Sequence, residues 1–119
     1  GGRAIAVLGD MAELGELSRF EHERVGREAV RLGVAALVAC GLRMRDAAEA
    51  ARQQAEADRP QVPVRVLHFE QPARAAAPVR ELLLAGDVVL VKGSRSMAME
   101  RVLEAIGAQA EADVTVQDR

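Results

Sequence analysis

The chain predicts an α/β fold, a Rossmann-like three-layer αβα sandwich with a mostly parallel sheet. Two observations carry this expectation. Short continuous apolar runs at 4–8, 34–40, 64–69 and 88–91 read as strands buried on both faces, since they are rich in Val, Leu and Ile. Longer amphipathic stretches separate them, so the order β-α-β-α-β-α-β-α closes a parallel sheet through right-handed crossovers. The expected strand order is 3-2-1-4, with any further strand at an edge.

Each element has its own local signals. Ser18-Arg19-Phe20-Glu21 has the form of a capping box and opens the first helix, which Gly33 stops after Leu32. Leu17, Val25, Ala29 and Leu32 are expected on its buried face. A second helix spans about 44–57 and is broken by Asp58-Arg59-Pro60-Gln61-Val62-Pro63. The third, about 72–84, contains Pro78, where the lost hydrogen bond and ring clash predict a kink or a restart. A fourth runs over about 96–106. The remainder, 111–119, is polar; its Val114-Thr115-Val116 either adds a short edge strand or frays. The expected division is therefore a domain at 1–110 and a tail at 111–119.

Bulk properties narrow the function classes. A chain of 119 residues, half of them apolar, forms one globular domain. A net charge of −2, with Lys92 as the single lysine, makes no electrostatic case for nucleic acid. No apolar run approaches ~20 residues and no leader is visible, so no membrane insertion and a cytoplasmic location are expected. The lone Cys40 ends an apolar run and reads as packing. Two distant histidines and one cysteine give no metal-ligand spacing. Phe20 and Phe69 are the sole aromatics, so base stacking is a poor basis for any nucleotide site.

Two strand-to-loop junctions carry chemistry, because ligands of open α/β sheets bind outside the carboxyl ends of the strands. Gly9-Asp10-Met11-Ala12-Glu13-Leu14-Gly15 has neither a dinucleotide fingerprint nor a Walker A spacing, so it is not a phosphate cradle. Asp10 suits hydrogen bonds from ribose hydroxyls, or equally a turn aspartate bonding local backbone. Lys92-Gly93-Ser94-Arg95-Ser96 sets two cations beside a helix start, where free N–H groups also favour anions. Arg95 offers a planar fork, Lys92 a point charge, and Gly93 close backbone approach. Ser96 reads first as an N-cap and Glu100 as a partner for nearby arginines. His22, early in the first helix, is either an acid–base or substrate-contacting group or a structural histidine; His68 reads as structural.

Three segments taken together are more specific than any one: Ala6-Val7-Leu8-Gly9-Asp10-Met11-Ala12-Glu13-Leu14-Gly15, Glu21-His22-x-x-Val25-Gly26, and Val89-Leu90-Val91-Lys92-Gly93-Ser94-Arg95-Ser96-Met97-x-Met99-Glu100. They resemble the C-terminal domain of the Mur ligases of bacterial peptidoglycan synthesis, in the branch that joins D-alanyl-D-alanine to UDP-N-acetylmuramoyl-tripeptide. The resemblance runs from about Arg3 to Ile106, and only 43–85 is generic. It implies a cytoplasmic enzyme whose N-terminal domain holds the UDP-sugar and whose central domain carries the phosphate loop and the Mg2+ ligands. It also implies that ATP phosphorylates the tripeptide carboxylate and that the dipeptide amine attacks the acyl phosphate. Closure of this last domain onto the central one would bring contacts to ATP and dipeptide while excluding water.

Carried over by position, the resemblance implies ATP ribose contact for Asp10. It implies that Lys92, Ser94 and Arg95 face the dipeptide carboxylate or the reacting phosphoryl group. Met11, Glu13, Leu14 and His22 match family positions without an assigned role; Glu13, His22 and Ser96 are further candidates for substrate binding, and no residue of this domain is expected to be catalytic by itself. The alternatives are a freestanding Rossmann-like binding or regulatory module, or the matching domain of another ATP-dependent amide ligase such as a folylpolyglutamate synthase relative. The Lys92–Ser96 motif argues against the latter.

Overall fold

The computed structural model describes residues 2–93, the helical positions Met99, Val102 and Glu104, and the backbone of residues 113–118. Strands β1 (Ala4–Gly9), β2 (Ala36–Cys40), β3 (Arg65–Phe69), β4 (Val88–Gly93) and β5 (Asp113–Asp118) alternate with helices α1 (Ser18–Arg31), α2 (Met44–Asp58) and α3 (Ala76–Leu82). All neighbouring strands pair parallel, in the order β3-β2-β1-β4-β5. The expected order 3-2-1-4 is thus observed, and residues 113–118 pair with β4 at the edge.

The runs of β1 and β2 are continuous because both of their faces are covered, whereas β4, expected to be buried on both faces, alternates, with Val88 and Leu90 exposed. Ile5, Val7, Val38, Cys40, Val89 and Val91 pack on one face against Ala75, Val79, Leu82, Met99 and Val102. Ala6, Leu8, Leu37 and Ala39 pack on the other against Ala29, Val30, Met44, Ala47, Ala48 and Ala51. A strand buried on both faces has no polar alternation to show.

Helix α1 differs from its sequence reading in two ways. Ser18 does not cap it: a turn of 3-10 helix, Gly15–Leu17, runs directly into Ser18, and no side chain caps the start. The buried face is His22, Gly26, Ala29 and Val30, whereas Leu17 and Leu32 are 60% and 80% exposed. The reason lies in the neighbour. Helix α2 approaches so closely that a Cβ on Gly26 would collide with the Ala47 carbonyl, and this contact sets the rotation of α1. The C-terminus follows expectation: Gly33 (φ 85°) donates to Val30 O and Val34 to Ala29 O, a Schellman arrangement.

Helix α2 ends at Asp58, and Arg59, the second residue of the proline-containing breaker, adopts φ 47°. The expected restart around Pro78 is also observed. Pro72–Ala75 forms a 3-10 turn, α3 begins at Ala76, and Pro78 therefore sits in the first turn, where no intrahelical N–H is missed. The fourth helix expected at 96–106 falls mostly outside the described residues, with Met99, Val102 and Glu104 helical.

An ion pair that the sequence did not reveal closes the amino-terminal end of the sheet. Arg3 reaches Asp87 through Nε (3.1 Å) and Nη2 (2.7 Å), and Nη2 also donates to Leu82 O (2.8 Å). Asp87 is 2% exposed and accepts the Leu84 N–H as well. These bonds join the start of β1 to the turn that launches β4.

Candidate functional site

The site lies at the carboxyl ends of β1, β2 and β4. Register aligns Leu8 with Lys92 and Gly9 with Cys40, so Asp10, the loop after β2 and Lys92 emerge side by side. Gly9 and Gly93 face each other beneath Met99: a Cβ would lie 2.9 Å from Met99 Sδ at Gly9 and 2.7 Å from Met99 Cγ at Gly93. Both junctions end in glycine because a methionine side chain is seated across them.

Asp10 is held by backbone groups at the start of α2. Its Oδ1 accepts the Met44 N–H (2.9 Å), its Oδ2 accepts the Arg43 N–H (3.2 Å), and its own N–H donates to Cys40 O (3.1 Å). Asp10 therefore supplies the N-terminal cap that α2 lacks from its own sequence. The turn aspartate expected to bond local backbone instead accepts from the start of α2, 33 and 34 residues away. Each carboxylate oxygen accepts one of these bonds and retains a second acceptor position.

His22 is fully buried, and both ring nitrogens are engaged. Nδ1 lies 2.6 Å from Ser18 O and 3.3 Å from Ser18 Oγ, and Nε2 accepts the Met11 N–H at 3.0 Å. Donation to the carbonyl requires the proton on Nδ1, which leaves Nε2 free to accept. His22 thus pins the acidic loop to α1. His68 bonds Gly41 O (2.8 Å) and ties β3 to the loop that follows β2.

Beyond these anchors Glu13 adopts φ 61°, a left-handed conformation that non-glycine residues avoid. A cleft of about 1040 Å3 opens beside it, lined by Leu8, Met11, Ala12, Glu13 and Leu14 on one side and Leu90 and Lys92 on another, with α1 as the third wall. Its origin is topological. Helices α1 and α2 cover β1 to β3 on one face, while α3 packs on the opposite face, so among the described residues no helix covers one side of β4. Val88 and Leu90 are accordingly 45% and 36% exposed.

Lys92 is half-buried in this cleft. Ser94, Arg95 and Ser96, the other expected anion-site residues, lie outside the described residues. Arg43, which no sequence motif singles out, precedes α2 at the same sheet edge with Nη1 3.4 Å from Met11 O. Its position one residue before an expected helix start was the available signal. Cys40 is buried; desolvation, and secondarily Asp10, push its thiol up to about 12, which suits packing and not nucleophilic attack. Among the described residues no group of three or more His, Cys, Asp or Glu could hold a metal, and no helix is long and apolar enough to cross a membrane.

Comparison with known proteins agrees with this architecture. Residues 1–95 match the family described as Mur ligase, glutamate ligase domain. The chain is 39% identical over 116 residues to the UDP-N-acetylmuramoyl-tripeptide–D-alanyl-D-alanine ligase of Mycobacterium leprae, covering 98% of the chain and 20% of that protein. It is 40% identical over 112 residues to the ligase of the same name from Mycobacterium tuberculosis H37Rv, covering 87% of the chain and 22% of that protein. The crystal structure of MurF ligase from Thermotoga maritima in complex with ADP superposes with a TM-score of 0.68 at 26% identity, over 93% of this chain and 23% of that one. MurF from Acinetobacter baumannii gives 0.67 at 25% identity, over 89% and 22%. The chain thus spans about a fifth of the length of the curated relatives it matches. On the match over residues 1–95 and the near-complete coverage by these relatives, the chain belongs to the Mur ligase family, as its glutamate ligase domain.

Proposed function

We propose that the full-length protein carrying this domain is a cytoplasmic ATP-dependent ligase that joins D-alanyl-D-alanine to UDP-N-acetylmuramoyl-tripeptide. The observation that carries this reading is the 39% identity, over 98% of the chain, to a ligase of that name. A solved relative in complex with ADP supports the use of a nucleotide. This domain supplies contacts to dipeptide and nucleotide when it closes on the N-terminal and central domains of the same chain, which hold the UDP-sugar, the phosphates and Mg2+. The free acceptor positions of Asp10 fit ribose hydroxyls, and Lys92, Ser94 and Arg95 are assigned to the dipeptide carboxylate or the reacting phosphoryl group. Closure excludes water from the activated carboxyl group, which protects it from hydrolysis.

The test is ADP release by the full-length enzyme. It should require both UDP-N-acetylmuramoyl-tripeptide and D-alanyl-D-alanine and yield the pentapeptide product. ADP release that accepts an amino acid such as glutamate in place of the dipeptide would move the protein to another branch of ATP-dependent amide ligases. Absence of any ligase activity would favour a binding module.

A further inference from the structure

We infer that Glu13 is the residue that binds and orients the ammonium group of the incoming dipeptide, opposite Lys92 at its carboxylate. This assignment rests on the reading of the full-length protein as a D-alanyl-D-alanine ligase. Four charged side chains line the cleft between the acidic loop, α1 and β4: Glu13, Arg24, Glu28 and Lys92. Arg24 is paired with Glu21 (2.6 Å) and Glu28 with Arg31 (3.0 Å). Glu13 and Lys92 have no partner among the described residues. Among the described residues, one unpaired anion and one unpaired cation therefore share a single cleft, whose lining also includes the apolar Leu8, Ala12 and Leu14. D-Alanyl-D-alanine has the matching chemistry: an ammonium at one end, a carboxylate at the other and two methyl groups between them.

The backbone gives an independent reason to single out Glu13. Its φ of 61° is the sort of unfavourable conformation that persists only where the surroundings impose it, and such residues concentrate at ligand sites. The surroundings here are identifiable. Asp10 is fastened to the start of α2 through Arg43 and Met44, and Met11 is fastened to α1 through His22. With both preceding residues held, the turn at Ala12 and Glu13 has little freedom, and the backbone that carries the Glu13 side chain at the cleft is ordered before binding. His22 is thus a positioning residue for Glu13.

Steady-state kinetics on the full-length enzyme test the assignment. Glu13→Gln removes the charge-assisted hydrogen bond and should raise KM for D-alanyl-D-alanine roughly ten- to hundredfold, with KM for ATP and for the UDP-linked tripeptide unchanged. Propanoyl-D-alanine, which has the dipeptide skeleton without the amine, should inhibit wild type and Glu13→Gln equally. Glu13→Gly suits the left-handed backbone but has no carboxylate, and should show the same rise in KM. Three results overturn the inference: an unchanged dipeptide KM in Glu13→Gln, a wild-type KM in Glu13→Gly, or weaker inhibition of Glu13→Gln by propanoyl-D-alanine. Turnover by the wild type with a silent Glu13→Gln defeats this assignment alone. A wild type that does not use the dipeptide defeats the wider reading and this assignment with it.

Discussion

Arg3 and Asp87 are 84 residues apart in the chain and form the most enclosed ion pair among the described residues. Hydrogen bonding from Arg3 holds the Asp87 carboxyl below the usual carboxylate value, against the opposing effect of burial. A carboxyl whose folded value is depressed contributes stability above its unfolded value, and that contribution is lost as pH falls through the folded value. The relevant window therefore lies at and below the ordinary value of 3.8. Asp87→Asn should destabilise the domain by about 2 kcal/mol at neutral pH, the scale of a hydrogen bond to a charged group. Urea denaturation of both proteins, repeated towards pH 3, should show the difference shrinking as the wild-type carboxyl becomes protonated. A difference independent of pH would assign the effect to packing.

At the scale of elements, the contact between α1 and α2 is set by small residues. Gly26 faces Ala47, and Ala48 and Ala51 continue the seam under α1. Gly26→Ala would ordinarily favour a helix, since alanine is the better helix former. Here the added methyl meets the Ala47 carbonyl, and two packed helices must separate to admit it. The packing penalty should win, with a net loss of about 2 kcal/mol read as a lowered urea midpoint. An unchanged or raised midpoint would mean that the helices part more easily than the geometry indicates. Because Asp10 and His22 hang the acidic loop between these same helices, the substitution should also disturb the loop that carries Glu13.

For the whole molecule, the five-stranded parallel sheet presents its loops at one edge, and the site is built there without a phosphate-binding loop. The isolated domain should show no ATP hydrolysis and only weak nucleotide affinity, because its sequence has no loop with phosphate-cradling spacing. Calorimetric titration of the domain with ATP and Mg2+ checks this, and submicromolar binding would contradict it. The chain covers 20% of the length of the Mycobacterium leprae relative.

Strand positions, strand order, the bounds of α2 and the restart at Pro78 were legible because they depend on local pattern. A strand buried on both faces must be continuously apolar, and right-handed crossovers leave few sheet orders. The same rule located Asp10 and Lys92 at the carboxyl edge before any contact was known. What each of those residues touches was not legible. Asp10 caps a helix whose start lies 34 residues on, His22 anchors Met11 from 11 residues away, and Glu13 shares a cleft with Lys92 only because, among the described residues, no helix covers one side of β4. The capping box at Ser18 and the apolar face through Leu17 and Leu32 failed for the same reason. Periodicity reports that a helix has a buried side, while the direction of that side is set by the neighbour it meets, here the backbone of α2 against Gly26.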